Sequence, residues 1–349
     1  KMKAFWHSNF IIKLRSWEYW PYYVVYAPVA FYWFWLSIKA RSFFFFTATN
    51  PSMKCGGLVA ESKKKILDLI PSRFVPITLL FSPTQSFEEV ESKVNAAGLT
   101  FPVVAKPDVG ERGIFVEKIK SSDELRAYVQ KAQFKFQVQE YVDMPMELGV
   151  FYYRFPTTKT GVISSIVKKK MLSVKGDGHS TIMELIVKSD RAKLQLANLA
   201  GKIDLEEVLP VNLEKELVSI GNHCKGTTFL NGNDLINDVL IKVFDDIHAE
   251  MQGFNYGRFD LRCSSIEHLY KGEFKIMELN GAAAEPAHIY HPGFSLFQAY
   301  KVLFAHWKKL YEIGIANHKM GVPFLEPSVG WPLFWSHFKK DKYTSGQLG

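Results

Sequence analysis

Two short segments carry the clearest structural pattern in the sequence: GRFDLR at Gly257–Arg262 and IMELNG at Ile276–Gly281. In both segments polar and apolar residues alternate, which is typical of a β-strand with one buried face. We predict that they form a hairpin, with strands over Tyr256–Ser264 and Glu273–Asn280. One face of this hairpin then collects most of the polar side chains.

That polar face gathers side chains that bind hard metal ions. Arg258 and Asp260 are two residues apart and share a face of the first strand, as Glu278 and Asn280 do in the second. If the strands pair, two carboxylates and an amide oxygen converge beside an arginine, and such oxygen ligands suit Mg²⁺. The alternative is a solvated, charged face of an edge hairpin, and the spacing alone leaves both interpretations open.

The chain between about Gly57 and this hairpin has the pattern of a mixed α/β protein. A first lobe is predicted from segments at Ile77–Phe81, Phe87–Ala97, Phe101–Lys106, Ile114–Ile119, Ser122–Ala132 and Phe136–Val142. A second lobe begins near Glu147, with strands at Gly149–Phe155 and Gly161–Ser173, a short helix opened by Thr181 and Glu184, and an amphipathic helix at Asp234–Met251. We therefore predict an α+β fold of two α/β lobes.

The paired segments resemble the ATP-grasp superfamily, in particular its D-alanine:D-alanine ligase and cyanophycin-synthetase-like branches. The resemblance covers about Ser62–Phe304 and implies a carboxylate–amine ligase whose two lobes sandwich ATP. In this family an Arg-x-Asp strand and a Glu-x-Asn strand hold two magnesium ions, which Mn²⁺ can replace. The resemblance thus implies that Arg258 is catalytic and stabilises an acyl phosphate, and that the metal ligands are Asp260, Glu278 and Asn280.

Upstream, FPVVAKPDVGERG at Phe101–Gly113 is similar to the family's strand, lysine and proline followed by a glycine-containing flap. The resemblance implies that Lys106 contacts the nucleotide phosphates as a point charge. It also implies that Gly110 and Gly113 let the loop backbone approach the triphosphate, because glycine tolerates such conformations. A plain β-turn is the alternative for the two glycines.

The next segment, FQVQEYVDMPMELGV at Phe136–Val150, looks like the family's connection between the lobes. The resemblance implies that Glu147 binds the ribose hydroxyls and that adenine lies against Gln139, Glu140, Tyr141 and Val142. The segment departs from D-alanine:D-alanine ligases in two ways. It is one residue longer before Glu147, and Gln139 replaces a residue that is usually acidic.

Two further pairs of residues are candidates for ligand contacts. Lys168 and Lys170 share a strand face, where one of them could neutralise phosphate, although a solvated basic strand explains them equally well. His288 and His291 follow the second metal strand, where the family often places substrate-binding groups. The alternative is that both are ordinary core or surface histidines.

The composition excludes a disordered or fibrous chain. The 349 residues are 47% hydrophobic, enough to bury the cores of two or three lobes. The net charge of +8 suits nucleotides or an anionic membrane surface, and since no recognised nucleic-acid-binding module is present, we expect no nucleic-acid partner. Cys55, Cys224 and Cys263 are widely spaced, which predicts neither a disulfide framework nor a zinc site and favours a reducing compartment.

An aromatic segment near the start of the chain predicts contact with a membrane. Trp17–Ile38 is uncharged after Glu18 and as long as the roughly 20 residues that cross a bilayer. Its many Trp and Tyr residues prefer the headgroup region and prolines interrupt it, so a monotopic or re-entrant helical segment is favoured over a single span. Ser42–Phe46 is expected to continue this surface. Gly330–Lys340 predicts either a second interfacial helix or a helix that docks on the body.

These observations predict four regions: a membrane-associating segment over 1–56, a small lobe over 57–142, a large lobe with the metal site over 143–315 and a tail over 316–349. The leading hypothesis is an ATP- and Mg²⁺-dependent ligase in which an amine, or a thiol, displaces phosphate from an acyl phosphate. The aromatic ends predict the cytoplasmic face of a membrane, with lipid-linked substrates or a membrane-protein partner. The alternatives are a phosphotransferase and an inactive membrane-anchored scaffold.

Overall fold

The structure is a computed structural model that describes residues 8–58, 61–110, 114–218, 221, 223–333 and 335. Its helices are α1 (Asn9–Arg15), α2 (Tyr22–Ala40), α3 (Lys63–Leu67), α4 (Phe87–Ala96), α5 (Ser122–Lys131), α6 (Ile182–Lys188), α7 (Asp190–Lys193), α8 (Leu196–Leu199), α9 (Asp238–Glu250), α10 (Ile266–Tyr270) and α11 (Leu296–Lys319). A further helix covers 327–333. Its strands are β1 (Thr78–Phe81), β2 (Val103–Pro107), β3 (Glu117–Ile119), β4 (Phe136–Glu140), β5 (Met146–Tyr153), β6 (Val162–Lys170), β7 (Ser173–Lys175), β8 (Glu214–Glu216), β9 (Thr228–Asn231), β10 (Tyr256–Cys263) and β11 (Phe274–Asn280).

The small lobe is an antiparallel sheet in the order β1-β4-β2-β3, covered on one face by α4 and α5. Val103 and Ala105 of β2 point into this helix-covered core. Because side chains alternate along a strand, Lys106 points to the opposite face, toward the large lobe. A capping box of Ser86 and Glu89 begins α4.

The large lobe is an antiparallel sheet in the order β11-β10-β5-β6-β9. One face packs on α9, where Phe259 and Leu261 of β10 meet Leu240 and Phe244. On the opposite face, Phe151 packs with residues of α11. That helix covers the end of the face near Phe151, and the turn at Ala287–Tyr290 packs on Val167 and Phe229 at the β6–β9 side of the same face. The predicted α+β fold of two lobes is confirmed.

Some element boundaries differ from the prediction for local reasons. The predicted helix over Asp234–Met251 starts later, because Asn237 caps α9 and a 3₁₀ turn at Asn233–Leu235 precedes it. The predicted strand over Gly161–Ser173 divides into β6 and β7. The two strands of the decisive hairpin pair as predicted, with α10 between them.

The aromatic N-terminal segment is partly built into the large lobe. A 3₁₀ turn at Trp17–Tyr19 leads to α2, which packs on α11 through Val29 and its neighbours and leaves its other side exposed. The expectation that Ser42–Phe46 faces a membrane was wrong for its last three residues, because Phe44–Phe46 are buried in the core that contains Leu310 and Ile313. Among the described residues, no helix has the length and hydropathy that a membrane crossing requires.

The C-terminal region docks on this same core. Trp331 packs against Phe43 and Phe44, with ring centroids 5.7 and 5.3 Å apart, as the docking alternative predicted. Trp335 remains 61% exposed. Phe334 and Phe338 lie outside the described residues.

Candidate active site

The predicted metal-binding side chains lie side by side on the open face of the large sheet. Asp260 pairs in register with Glu278, and Arg258 pairs with Asn280 across the β10–β11 ladder. Directly opposed residues in such a ladder place their side chains on one face. The convergence expected from the alternation therefore holds in the structure.

Asp260 is buried among positively charged groups. Arg258 donates two hydrogen bonds to its carboxylate, from Nε at 2.9 Å and from Nη2 at 3.1 Å, while Asn280 Nδ2 donates to Oδ2 at 3.4 Å. Lys169 Nζ lies 3.7 Å from the same oxygen. Because a buried carboxylate requires such compensation, Asp260 and its cations act as one unit.

Glu278 pairs with Lys63, a residue that the sequence gave no reason to select. Burial acts to raise the pKa of Glu278, but Lys63 and Lys106 outweigh it and hold that pKa well below its usual range. Lys63 is placed by the N-terminus of α3, where Lys63 and Lys64 donate their backbone N–H groups to Asp108. Asp108 of the small lobe thus positions Lys63 beside Glu278 of β11.

Lys106 connects the two lobes. Its buried Nζ donates to Gln139 Oε1 at 2.9 Å and to the Met277 carbonyl at 3.3 Å. A β-bulge leaves Met277 without a partner in β10, which turns its carbonyl toward the lysine. Burial lowers the pKa of Lys106 to about 8, and nearby Lys63 adds to this effect. The side chain of Gln139 is therefore occupied in holding Lys106.

Glu147, the predicted ribose ligand, lies at the centre of a buried ion cluster. Its carboxylate accepts from Lys169 Nζ at 2.9 Å and from Arg262 Nη2 at 2.9 Å. Arg262 also donates to the carbonyl of Val142 at 3.1 Å, so that it ties the interlobe connection to the sheet. A cavity of about 490 Å³ opens beside Glu147 and Lys169.

The structure brings Lys169 to the site rather than the two lysines selected from the sequence. Lys169 pairs in register with Glu147 on the open face, whereas Lys168 points to the other side and pairs with exposed Asp234. Lys170 is exposed. A bulge in β6 determines which of the successive lysines faces the open side of the sheet. A run of three lysines in the sequence does not indicate which one that is.

The remaining predicted nucleotide contacts lie around the interlobe connection. Glu140 accepts a hydrogen bond from the backbone of Ile77 at 3.1 Å, and Lys118 lies 3.5 Å from the centre of the Tyr141 ring. Gly110 is exposed at the start of the flap. Gly113 lies outside the described residues.

The donor set fits a hard divalent cation. Asp260 and Glu278 offer carboxylate oxygens in register, and the Asn280 amide beside Asp260 offers a neutral oxygen. In the described part of the chain no group of three His, Cys, Asp or Glu side chains could hold a metal, and this donor set combines two carboxylates with one amide. That donor set leaves room for phosphate oxygens and water as further ligands, as is usual for Mg²⁺.

Three solved structures of ligases align with 72–74% of the chain. They are a bifunctional glutathione synthetase from Pasteurella multocida (13% identity, 38% of that chain, TM-score 0.32), the VanG D-Ala:D-Ser ligase from Enterococcus faecalis (14%, 61%, 0.39) and a D-alanine–D-alanine ligase from Bacillus anthracis (14%, 67%, 0.37). The chain thus spans less than two thirds of the first two proteins. No family model and no curated protein matches it.

Two antiparallel lobes face each other across Lys106, with the Arg-x-Asp and Glu-x-Asn strands paired on the larger sheet. This is the two-lobed arrangement that the sequence resemblance implies. Within this fold β10 and β11 lie in the large lobe and Lys106 lies on β2 of the small lobe, as the sequence predicted.

The two histidines that follow β11 have structural partners. His288 Nδ1 lies 2.6 Å from Ser165 Oγ, and burial lowers the pKa of His288 to about 4, so it is uncharged. His291 Nδ1 accepts from the backbone of Asn231 at 3.1 Å and fixes β9. His288 lies on the open face next to β6, whereas His291 supports its edge.

Glu285 was not selected from the sequence, yet it lies beside the predicted catalytic arginine. Its backbone carbonyl accepts from Arg258 Nη1 at 3.1 Å, and its carboxylate accepts from the Tyr290 hydroxyl at 3.2 Å. The sequence signal was a lone carboxylate five residues after Asn280 in an otherwise apolar stretch, and its meaning depended on a turn that brings Tyr290 back to it.

Proposed function

We propose that the chain is an ATP- and Mg²⁺-dependent ligase that joins a carboxylate to an amine, or to a thiol, through an acyl phosphate. One observation carries this proposal: Asp260 and Glu278 lie in register on the open sheet face, opposite the small-lobe Lys106. Hard oxygen ligands and a buried lysine on facing lobes are what a magnesium-bound triphosphate requires.

The roles of this chain's residues follow from their charge and burial. Lys106, Lys63 and Lys169 surround the two carboxylates and would bind phosphate oxygens in a site from which water is largely excluded. Arg258, held in orientation by Asp260, would stabilise the charge that develops on the acyl phosphate. When bound, Mg²⁺ would be held by Asp260, Glu278 and Asn280 and would neutralise phosphate charge.

The proposed ligase predicts ADP release that depends on both an acid and an amine. We expect a panel of carboxylates and amines, assayed for ADP with Mg²⁺-ATP, to give turnover only when one member of each class is present. ADP release with an acid alone, together with a stable phosphorylated product, would instead identify a phosphotransferase. A chain that binds ATP but never turns it over would be a scaffold.

The exposed side of α2 supports a place for the enzyme at a membrane surface. Tyr23 and Phe31 are 75% and 78% exposed, and Trp35 is 49% exposed with Lys39 stacked on its ring. Aromatic residues beside lysine and arginine are typical of segments that lie in the headgroup region. We propose that α2 rests on the cytoplasmic leaflet, where lipid-linked substrates or a membrane-protein partner would be within reach.

Replacing Tyr23 and Phe31 together by glutamate is expected to reduce flotation with vesicles of phosphatidylcholine and phosphatidylglycerol at least tenfold. Each buried aromatic side chain contributes about 1.5–3 kcal/mol, and glutamate is also repelled by the anionic surface. The matched control is Val211→Glu, which changes a 65% exposed residue far along the chain. Equal flotation of the double variant and the wild type would contradict the membrane proposal.

A further inference from the structure

Glu285 and Tyr290 form a polar pair at the Arg258 end of the site. The Tyr290 hydroxyl donates to Glu285 Oε2 at 3.2 Å, while Arg258 is bonded to the carbonyl of the same glutamate at 3.1 Å. Both members of the pair are partly exposed, as a ligand contact requires. The pair therefore lies where Arg258, the proposed contact of the acyl phosphate, meets the turn after β11.

The carboxylate of Glu285 has an unusual environment for a charged group. Its carboxylate accepts from the Tyr290 hydroxyl of its own turn, whereas Arg258 of β10 contacts the backbone carbonyl of Glu285 rather than its carboxylate. In the part of the chain that the structure describes, no lysine or arginine forms an ion pair with its carboxylate. Burial therefore raises the pKa of Glu285 to about 7, although the hydrogen bond from Tyr290 acts to lower it.

The Tyr290 ring is fixed by the N-terminal segment. Trp17 stacks on it with centroids 5.4 Å apart and donates its indole N–H to the carbonyl of Phe294 at 2.8 Å. His223 lies 4.7 Å from the same ring, and Glu18 binds both His223 and Arg191 at 2.7 Å. The turn that precedes α2 thus forms one wall beside Glu285.

We propose that Glu285 and Tyr290 form the subsite for the amine substrate, and that Glu285 removes the proton that this amine must lose before attack. The proposal rests on the proposed ligase function and adds a residue to it. A carboxylate without a cationic partner attracts an ammonium group. The carboxylates of Asp260 and Glu278, in contrast, are already paired with Arg258, Lys169 and Lys63. A base is most effective when its pKa lies near the working pH.

The chemical step balances without a further reactant. The amine enters as an ammonium ion and transfers one proton to Glu285. Its lone pair then forms the C–N bond at the acyl carbon, the C–O bond to phosphate breaks, and the bonding electrons leave with the phosphate. The second nitrogen proton passes to the departing phosphate, and Glu285 returns its own proton to water.

The test compares Glu285→Gln with the wild type on two nucleophiles. Hydroxylamine is already uncharged at neutral pH and needs no base, so we expect Glu285→Gln to form hydroxamate from the acid and ATP at the wild-type rate. Turnover with the amine should fall by about 10²-fold or more, in the range of general-base catalysis. Glu273→Gln is the matched control. Glu273 is an exposed carboxylate in the connection between α10 and β11, so its replacement should change neither rate.

A pH profile separates a base from a structural residue. Wild-type kcat/KM for the amine should rise with pH through about 7, because Glu285 must be ionised, and this rise should be absent in Glu285→Gln. Tyr290→Phe removes the hydrogen bond that favours the carboxylate, so the rise should move to higher pH while the ring contacts remain.

Three outcomes would overturn the proposal. Equal losses with hydroxylamine and the amine would make Glu285 a structural residue, and unchanged amine turnover would remove it from the site. If the wild type forms no hydroxamate with any acid, the ligase function itself fails, and the amine subsite falls with it.

Discussion

Replacing Asp260 by asparagine is expected to lower acid- and amine-dependent ADP release by about 10³-fold. Loss of one preorganised charge at a phosphoryl-transfer site typically costs 10²–10³ in rate or more. Here the substitution also leaves Arg258 and Lys169 beside a neutral amide, so the site would repel the cation that we propose it binds. Coupled measurement of ADP, with acid and amine at saturation, gives the rate.

Asp234→Asn is the matched control for this variant. Asp234 pairs with Lys168 on the other side of the sheet, 66% exposed, and its loss should leave the rate unchanged. A second measurement does not depend on turnover: Mg²⁺-ATP should raise the Tm of the wild type and of Asp234→Asn but not of Asp260→Asn, since a ligand stabilises the folded state that binds it. Turnover of Asp260→Asn within tenfold of the wild type would exclude the metal role.

Replacing Glu147 by glutamine is expected to cost about 3–5 kcal/mol of unfolding free energy. Glu147, Lys169 and Arg262 form a buried cluster, and removing one member of such a cluster leaves uncompensated charge in a low dielectric. Urea unfolding at neutral pH, followed by tryptophan fluorescence, measures the loss. Glu250→Gln, which breaks an exposed pair with Arg73, should leave the unfolding midpoint nearly unchanged.

The same variant has a defined pH dependence. Burial acts to raise the pKa of Glu147, but Lys169 and Arg262 outweigh it and lower that pKa below its unfolded value. A lowered carboxyl pKa stabilises the fold above the unfolded pKa and ceases to do so as the pH falls through the folded pKa. The gap between wild type and Glu147→Gln should therefore narrow below about pH 4. A gap that is constant over this range would assign the loss to packing alone.

The alternation of polar and apolar residues was enough to predict the shared polar face of β10 and β11. Arg258 and Asp260 in one strand, and Glu278 and Asn280 in the other, have their spacing fixed by the strand period, and pairing brings them together. The capping box of Thr181 and Glu184 was readable for the same reason, because its geometry is local. Features whose geometry lies within a few residues are the ones that a sequence specifies directly.

Features that depend on contacts between distant segments were not predictable. The position of Lys169 rather than Lys168 on the open face depends on a bulge in β6. The selection of Lys63 from three successive lysines depends on Asp108, which follows β2 and accepts hydrogen bonds from the start of α3. The burial of Phe44–Phe46 depends on α11, which lies more than two hundred residues further along. In each case the sequence gave the residue type, and a remote partner decided its role.

The position of the Trp17–Tyr19 turn bears on how substrate would reach the enzyme. This turn ends at Tyr19, shortly before α2 begins at Tyr22, so the wall of the proposed amine subsite and the exposed aromatic side of α2 are close along the chain. With α2 resting on a bilayer, an amine anchored in the leaflet would arrive by lateral diffusion in two dimensions. The rate would then follow the mole fraction of that amine in the surface rather than its bulk concentration, so that added inert lipid would inhibit by dilution.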